Sequence, residues 1–374
     1  MRFRSRLLVD LARLESNFKL LKQLCPNNET IFMVKADGYG HGAVPIVRFS
    51  YNEVGIKEFG CATLGEALQL RNEIPDGEFE VYVFSDIQIY LKECAEHYLN
   101  RRILPVLSNI DDLDFFLSSS EFKHCPLVLK FNTGMNRLGL DLSQTEEVIK
   151  KIKSNGRKSI YHLMSHFSSA SLNMESKRNV EQKEHFAKLK SDFLAAGLDL
   201  ERTSLSNSGA IEQKAGLEET HVRPGLMMYG PSSLIKPERT NSFWKGEIIS
   251  QLETYIIRVF PVDRGTPIGY GATPVSDDGF IAIIALGYGD GFSTRFGGAT
   301  IPYKGFQGKI VGRVNMDMAQ VFFPKEAESV LNAGDIFTIW DHDPERLLDF
   351  AEQTGTIPYE LFCQLTSRVP RIYW

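Results

Sequence analysis

Cysteine is scarce and unpatterned in this chain: Cys25, Cys61, Cys94, Cys125 and Cys363 are odd in number, and none belongs to a Cys-x-x-Cys pair. That scatter argues against a disulfide framework or a zinc knuckle, leaves no metal site to propose, and predicts a reducing, cytoplasmic setting. Long apolar runs are missing too. The longest, around Ile281–Leu286, falls far short of the roughly 18 residues that a membrane span requires. Positive charge is not in surplus, since 42 Lys+Arg face 47 Asp+Glu for a net charge of −5, and no basic stripe appears. Nucleic-acid binding, which rests on phosphate neutralisation, is therefore set aside in favour of a small-molecule ligand. Repeats and low-complexity tracts are absent, which removes solenoids and disordered tails. Arg2, Arg4 and Arg6 precede Leu7-Leu8-Val9 in the manner of an export signal, but Asp10 and Arg13 interrupt the apolar stretch at once. No export signal is read.

What is present is an ordinary globular composition, 43% hydrophobic and 24% charged over 374 residues. That length predicts two domains or one large barrel with an appendage. Asp10 can cap a helix whose apolar positions Leu11, Leu14, Phe18 and Leu21 recur at three- and four-residue steps, and Pro26-Asn27 stops it. A strand-then-helix rhythm follows. Its eight candidate strands are Ile31–Val34, Phe59–Thr63, Glu80–Phe84, Ile103–Leu107, Leu127–Phe131, Ile160–Met164, Thr203–Ser206 and His221–Arg223, with helices such as Gln144–Lys153 and Lys177–Ala196 between them. This pattern predicts an α/β (β/α)8 barrel. After Gly230 a Pro/Ser-rich passage leads to segments that read as strands: Leu252–Phe260, Phe280–Leu286, Lys309–Val314, Ala319–Phe323 and Ile336–Trp340. The expected division is a barrel domain over 1–236 and a mostly β domain over 237–374, with the first few residues packing on the second domain.

In such barrels the working groups follow the strands' C-terminal ends. Lys35 follows the first strand, Lys130 lies near the end of the fifth, His166 follows the sixth, Asn207 and Ser208 the seventh, and Arg223 closes the eighth. A lysine directly after a buried strand is partly desolvated, which favours the neutral amine and Schiff-base chemistry with an aldehyde. A surface lysine opening the glycine-rich turn Gly38-Tyr39-Gly40-His41-Gly42 is the plainer alternative. Arg223-Pro224-Gly225-Leu226 offers backbone N–H groups where phosphate sites form in these barrels. Lysine, phosphate cradle and barrel together point to pyridoxal phosphate.

Six blocks are similar to the alanine racemase family, in order and over nearly the whole chain. They are Val34-Lys35-Ala36-Asp37-Gly38-Tyr39-Gly40-His41-Gly42, the stretch from Lys130 to Gly139, Arg223-Pro224-Gly225, Gly269-Tyr270-Gly271, Gly287-Tyr288-Gly289-Asp290-Gly291, and Gly312-Arg313-Val314-Asn315-Met316-Asp317. The resemblance implies pyridoxal 5'-phosphate held by Lys35, which then serves as base on one face of the substrate α-carbon, with Tyr270 as the opposing base. A phenol of reference pKa about 10 needs its anion stabilised to act near neutrality, and His166 and Arg223 match the family's histidine and pyridine-facing arginine. An always-charged guanidinium there disfavours ring protonation, which favours racemisation over transamination. The family's cofactor contacts map onto Tyr39, Asn207, Ser208 and the amides of Gly225 and Leu226. Ser367, ahead of Arg368-Val369-Pro370-Arg371, takes the place of a family tyrosine at the phosphate. Arg137 would engage the substrate carboxylate, oriented by Lys130, which is carbamylated in many members; Asn132 stands where many relatives have Asp. Tyr270, Tyr288, Met316 and Asp317 would reach the partner's barrel mouth, the last three on the substrate side, so a homodimer with shared sites is implied.

The expected activity is that of an amino-acid racemase, an isomerase, with alanine as leading substrate and D-alanine for peptidoglycan as the product the family supplies. A serine or broader-specificity racemase stays open, because a methyl or hydroxyl is worth only about 1–3 kcal/mol in an apolar pocket. A non-catalytic pyridoxal-phosphate-binding regulatory protein also stays open, although such proteins generally lack the second domain and the opposing tyrosine.

Overall fold

The structure, a computed structural model, describes residues 3–374; Arg2 of the N-terminal basic run lies outside the described residues. Eight parallel strands close into a barrel: Glu29–Met33, Glu58–Thr63, Glu80–Asp86, Ile103–Leu107, Val128–Asn132, His162–Met164, Thr203–Asn207 and His221–Arg223. Closure is made by His221 pairing with Glu29. Each anticipated strand is present, because short runs of β-branched and aromatic residues bury one face against helices and the other in the barrel interior. The sixth differs in extent. Ser159–Ile160 leaves the barrel to pair with Asp199–Leu200, and the break falls at Tyr161, whose hydroxyl donates to Glu80.

The first helix, Leu11–Leu24, starts where the Asp10 carboxylate accepts from the N–H groups of Ala12 and Arg13. Its buried Asn17 donates to the carbonyls of Met228 and Glu247 and accepts from the Glu247 N–H, tying the helix to the chain leaving the barrel. That departing passage is clamped by the buried Glu212 carboxylate, which accepts from the hydroxyls of Ser232, Ser233 and Ser242 and from the Ser233 N–H.

The second sheet runs in the order Thr300–Tyr303, Phe306–Val311, Ala319–Pro324, Gly279–Ile284, Ser250–Val262, Ser5–Val9 and Arg371–Tyr373, with Ile336–Trp340 also paired to Ser250–Val262. All five strands read from the sequence are in it. Three were not read as strands, among them Ser5–Val9, which was expected only to pack on this domain. Thr300–Tyr303 contains Pro302 and lies at the sheet edge, where proline is tolerated, and Arg371–Tyr373 is held by parallel pairing to Ser5–Val9 from the other end of the chain. Helices Pro344–Gln353 and Pro358–Cys363 were also not read; each starts on a proline in its first turn.

Candidate active site

Lys35 sits immediately beyond the first barrel strand, on a turn whose backbone is left-handed: φ is 51° at Ala36, 55° at Asp37, 62° at Gly38, 51° at Tyr39 and 77° at Gly40. Non-glycine residues pay about 1–2 kcal/mol each for this conformation. The turn persists because its polar groups are over-determined. The Glu66 carboxylate accepts from the Ala36 N–H at 2.7 Å while also taking the N–H groups of Ala62 and Thr63, and Asp37 Oδ1 accepts from the Ala43 N–H at 2.8 Å. His41 Nε2 and Ser250 Oγ, 2.9 Å apart, join the turn's far end to the second sheet.

The Lys35 side chain enters a cavity of about 260 Å3 at the barrel mouth, at the small end of ligand pockets. Ten of the anticipated residues meet on its wall: Lys35, Tyr39, Lys130, Arg137, His166, Asn207, Ser208, Arg223, Gly225 and Leu226. Four of these are basic, and no Asp or Glu lines the cavity among the described residues. The consequence falls on Lys35, Lys130 and His166. Burial and the Arg137 charge lower the Lys35 pKa, and burial with Arg223, Arg137 and Lys35 pushes Lys130 down to about 8. Burial and Arg223 hold His166 well below the usual imidazole range, so it is neutral. Arg223 is buried with its guanidinium donating to Ser204 Oγ and the Ser165 carbonyl, and its Nη2 lies 3.4 Å from His166 Nδ1. On the opposite side of that imidazole, Nε2 is 3.3 Å from Asn207 Nδ2.

One corner of the cavity is floored by backbone. Ser208 Oγ accepts from the Gly225 N–H at 2.9 Å, and a Cβ at Gly225 would stand 2.4 Å from Tyr39 Oη. Only glycine lets this segment approach the Tyr39 hydroxyl. The tyrosine that joins it is Tyr359, whose ring centroid lies 5.9 Å from that of Tyr39. Ser367, assigned that place from the sequence, is exposed and does not line the cavity, because the chain passes it after helix Pro358–Cys363 has already docked at the mouth. The signal for Tyr359 was slight: a proline at the first position of a helix, followed by an aromatic. Asn132 turns away to its own loop, accepting from the N–H groups of Gly134 and Asn136.

The other four anticipated residues lie elsewhere. Tyr270, Tyr288, Met316 and Asp317 share a separate, open depression on the β domain, where Tyr270 is 72% exposed. Asp317 Oδ1 is paired with Arg368 at 2.7 Å, and Arg368 also reaches the buried Asp290.

A lysine with a lowered pKa, three further basic side chains without an acid, and a hydroxyl-lined backbone cradle suit an aldehyde that carries a phosphate and a substrate that carries a carboxylate. Fold and site together define a barrel with a lysine-centred, anion-binding mouth and an appended β domain. Comparison with known proteins agrees. Residues 9–233 match "Alanine racemase, N-terminal domain" and residues 249–373 match "Alanine racemase, C-terminal domain". The alanine racemase of Vibrio vulnificus (strain CMCP6) is 32% identical over 384 residues, covering 98% of both chains. The solved alanine racemase of Acinetobacter baumannii superposes with a TM-score of 0.85 at 27% identity over 100% of both chains. That of Bartonella henselae, solved with covalently bound pyridoxal phosphate, gives 0.83 at 25% identity, again over 100% of both. The chain belongs to the alanine racemase family.

Proposed function

We propose that this protein interconverts L- and D-alanine with pyridoxal 5'-phosphate, in a homodimer whose two sites are shared between chains. The observation that carries the reading is the desolvated Lys35 amine in a cavity with Lys130, Arg137 and Arg223 and no carboxylate on its wall. When bound, the cofactor supplies an aldehyde for the amine and a conjugated sink that acidifies the substrate α-proton. Lys35 holds it through Nζ. Tyr39, Tyr359, Ser208 and the N–H groups of Gly225 and Leu226 would hold its phosphate and Arg223 its ring nitrogen, with His166 beside Arg223 and Asn207 against the far side of that imidazole. During turnover Lys35 Nζ takes or returns the α-proton on one face, and Tyr270 Oη of the other chain does so on the opposite face.

Arg137 binds the substrate carboxylate. Lys130, largely surrounded by positive charge and with its pKa brought down to about 8, has the neutral amine that carbamylation needs, and the resulting anion supplies the charge this wall lacks. The exposure of Tyr270, Tyr288 and Met316 on the β domain supports their reaching a partner's mouth together with Asp317. In this reading residues 1–236 form the cofactor-binding barrel and 237–374 the covering domain. No helix among the described residues is long and apolar enough to cross a membrane, and we assign the enzyme to the cytoplasm.

The test is incubation of cofactor-loaded protein with single L- and D-amino acids in deuterated water. Exchange of the α-proton with inversion, fastest for alanine, is expected. Faster inversion of serine would reassign the substrate, and loaded protein without exchange on any amino acid would leave a binding protein.

A further inference from the structure

Barrel interiors of this type are ordinarily filled by branched apolar side chains. Here Ile31, Leu104, Val106, Val128 and Met164 fill only part of it, packed together with the ring of Tyr82. Interleaved with them is a buried polar column that runs from floor to mouth. At the floor, Glu58 accepts from Tyr82 Oη at 3.2 Å and lies 3.2 Å from His221 Nε2 and 3.4 Å from Arg202 Nη1. Tyr82 Oη also accepts from Arg202 at 2.8 Å and lies 3.4 Å from His162 Nδ1. His162 Nε2 is 2.8 Å from Ser204 Oγ, and Ser204 Oγ accepts from Arg223.

The direction of every proton follows from the two ends. A guanidinium can only donate, so Ser204, accepting from Arg223, sends its own proton to His162 Nε2. His162 then carries its proton on Nδ1, toward Tyr82, and Tyr82 sends its proton to Glu58, which as a carboxylate only accepts. Burial and the charges of His221, Arg223 and Arg202 hold His162 well below the imidazole range, consistent with this neutral tautomer.

Among the described residues Arg223 itself touches no carboxylate. Besides Ser204 and His166, its hydrogen-bond partners among them are the carbonyls of Ser165 and Leu205. A buried cation without an acid partner is costly, and a polar column in a barrel core is tolerated only when every member is satisfied. We propose that His162 is a positioning residue: through Ser204 it fixes the plane of the Arg223 guanidinium, with Tyr82 and Glu58 fixing its tautomer, and so keeps the reaction on racemisation rather than transamination. This rests on the pyridoxal-phosphate reading of the site.

The experiment compares cofactor-loaded parent with His162→Leu, Ser204→Ala and the double variant, reading pyruvate formed per racemisation event and the visible absorption band of the bound cofactor. Each single variant raises the pyruvate ratio by about ten-fold or more and displaces the band, and the double variant does no more than either alone. His162→Gln, whose amide can accept from Ser204 and donate to Tyr82, returns both readouts toward the parent. Val106→Ala, at an apolar position of the same interior, lowers the melting temperature and leaves both readouts unchanged. If His162→Leu fails to fold, Ser204→Ala and His162→Gln carry the comparison. Ratios and spectra indistinguishable from Val106→Ala, or additive effects in the double variant, overturn the proposal. A parent that takes up no pyridoxal phosphate overturns the functional reading beneath it, and does so before any variant is compared.

Discussion

Lys130 is the residue at which buried charge has the most measurable consequence. Its folded pKa of about 8 lies below its ordinary value of 10.5, with burial the main cause and Arg223, Arg137 and Lys35 adding to it. Below pH 8 the folded chain therefore holds an ammonium it disfavours, and between 8 and 10.5 the unfolded chain binds more protons, so stability rises with pH across that window. In buffer free of carbon dioxide, Lys130→Met is expected to melt above the parent at pH 7, with the gap closing toward pH 10.5; a gap independent of pH would contradict this origin. Tyr359 gives a second test. Removing its hydroxyl in Tyr359→Phe costs a cofactor hydrogen bond of about 1–2 kcal/mol, seen as roughly a five- to thirty-fold weaker dissociation constant by absorption titration, while Ser367→Ala leaves binding unchanged. Lys35, His166, Ser208 and Arg223 were legible because each directly follows or closes a readable strand. Tyr359 was not, since its place at the mouth depends on how a short helix of the second domain docks on the first.

The left-handed turn after Lys35 is the element that aims the amine. Gly38, Gly40 and Gly42 announced a tight turn, but its handedness through Ala36, Asp37 and Tyr39 is set by remote groups, Glu66 and Ala43, that no local pattern reveals. At Gly40 the constraint is steric as well as torsional, because a Cβ there would lie 2.1 Å from the Phe362 carbonyl oxygen. Gly40→Ala is thus expected to push helix Pro358–Cys363 outward, carrying Tyr359 with it. Cofactor affinity should fall by about ten-fold or more, beyond the effect of Tyr359→Phe, as the lost contact is joined by backbone strain of about 1–2 kcal/mol. Affinity equal to the parent's would remove the turn from the account. The strands were legible for a simpler reason: most are short apolar runs, and those that escaped notice were either held by distant pairing, as Arg371–Tyr373 is on Ser5–Val9, or carried a proline at the sheet edge, as Thr300–Tyr303 does.

Within one chain the two proposed bases sit in different depressions, Lys35 in the barrel mouth and Tyr270 on the outer face of the β domain. Sequence order says nothing of this separation; it follows from the chain's own packing. A symmetric pair that covers each mouth with the other's β domain makes two composite sites. Lys35→Ala and Tyr270→Ala should each abolish racemisation, and mixing the two inactive proteins under subunit exchange should restore about a quarter of the parent's activity, since half the dimers become mixed and each then has one intact site. No recovery, with exchange verified by a mass label, would contradict shared sites. Underlying all of this is one covalent attachment, and borohydride reduction of the loaded protein followed by peptide mapping reads it directly. The pyridoxyl tag is expected on Lys35 alone; a tag on Lys130 or any other lysine, or none at all, would contradict the account.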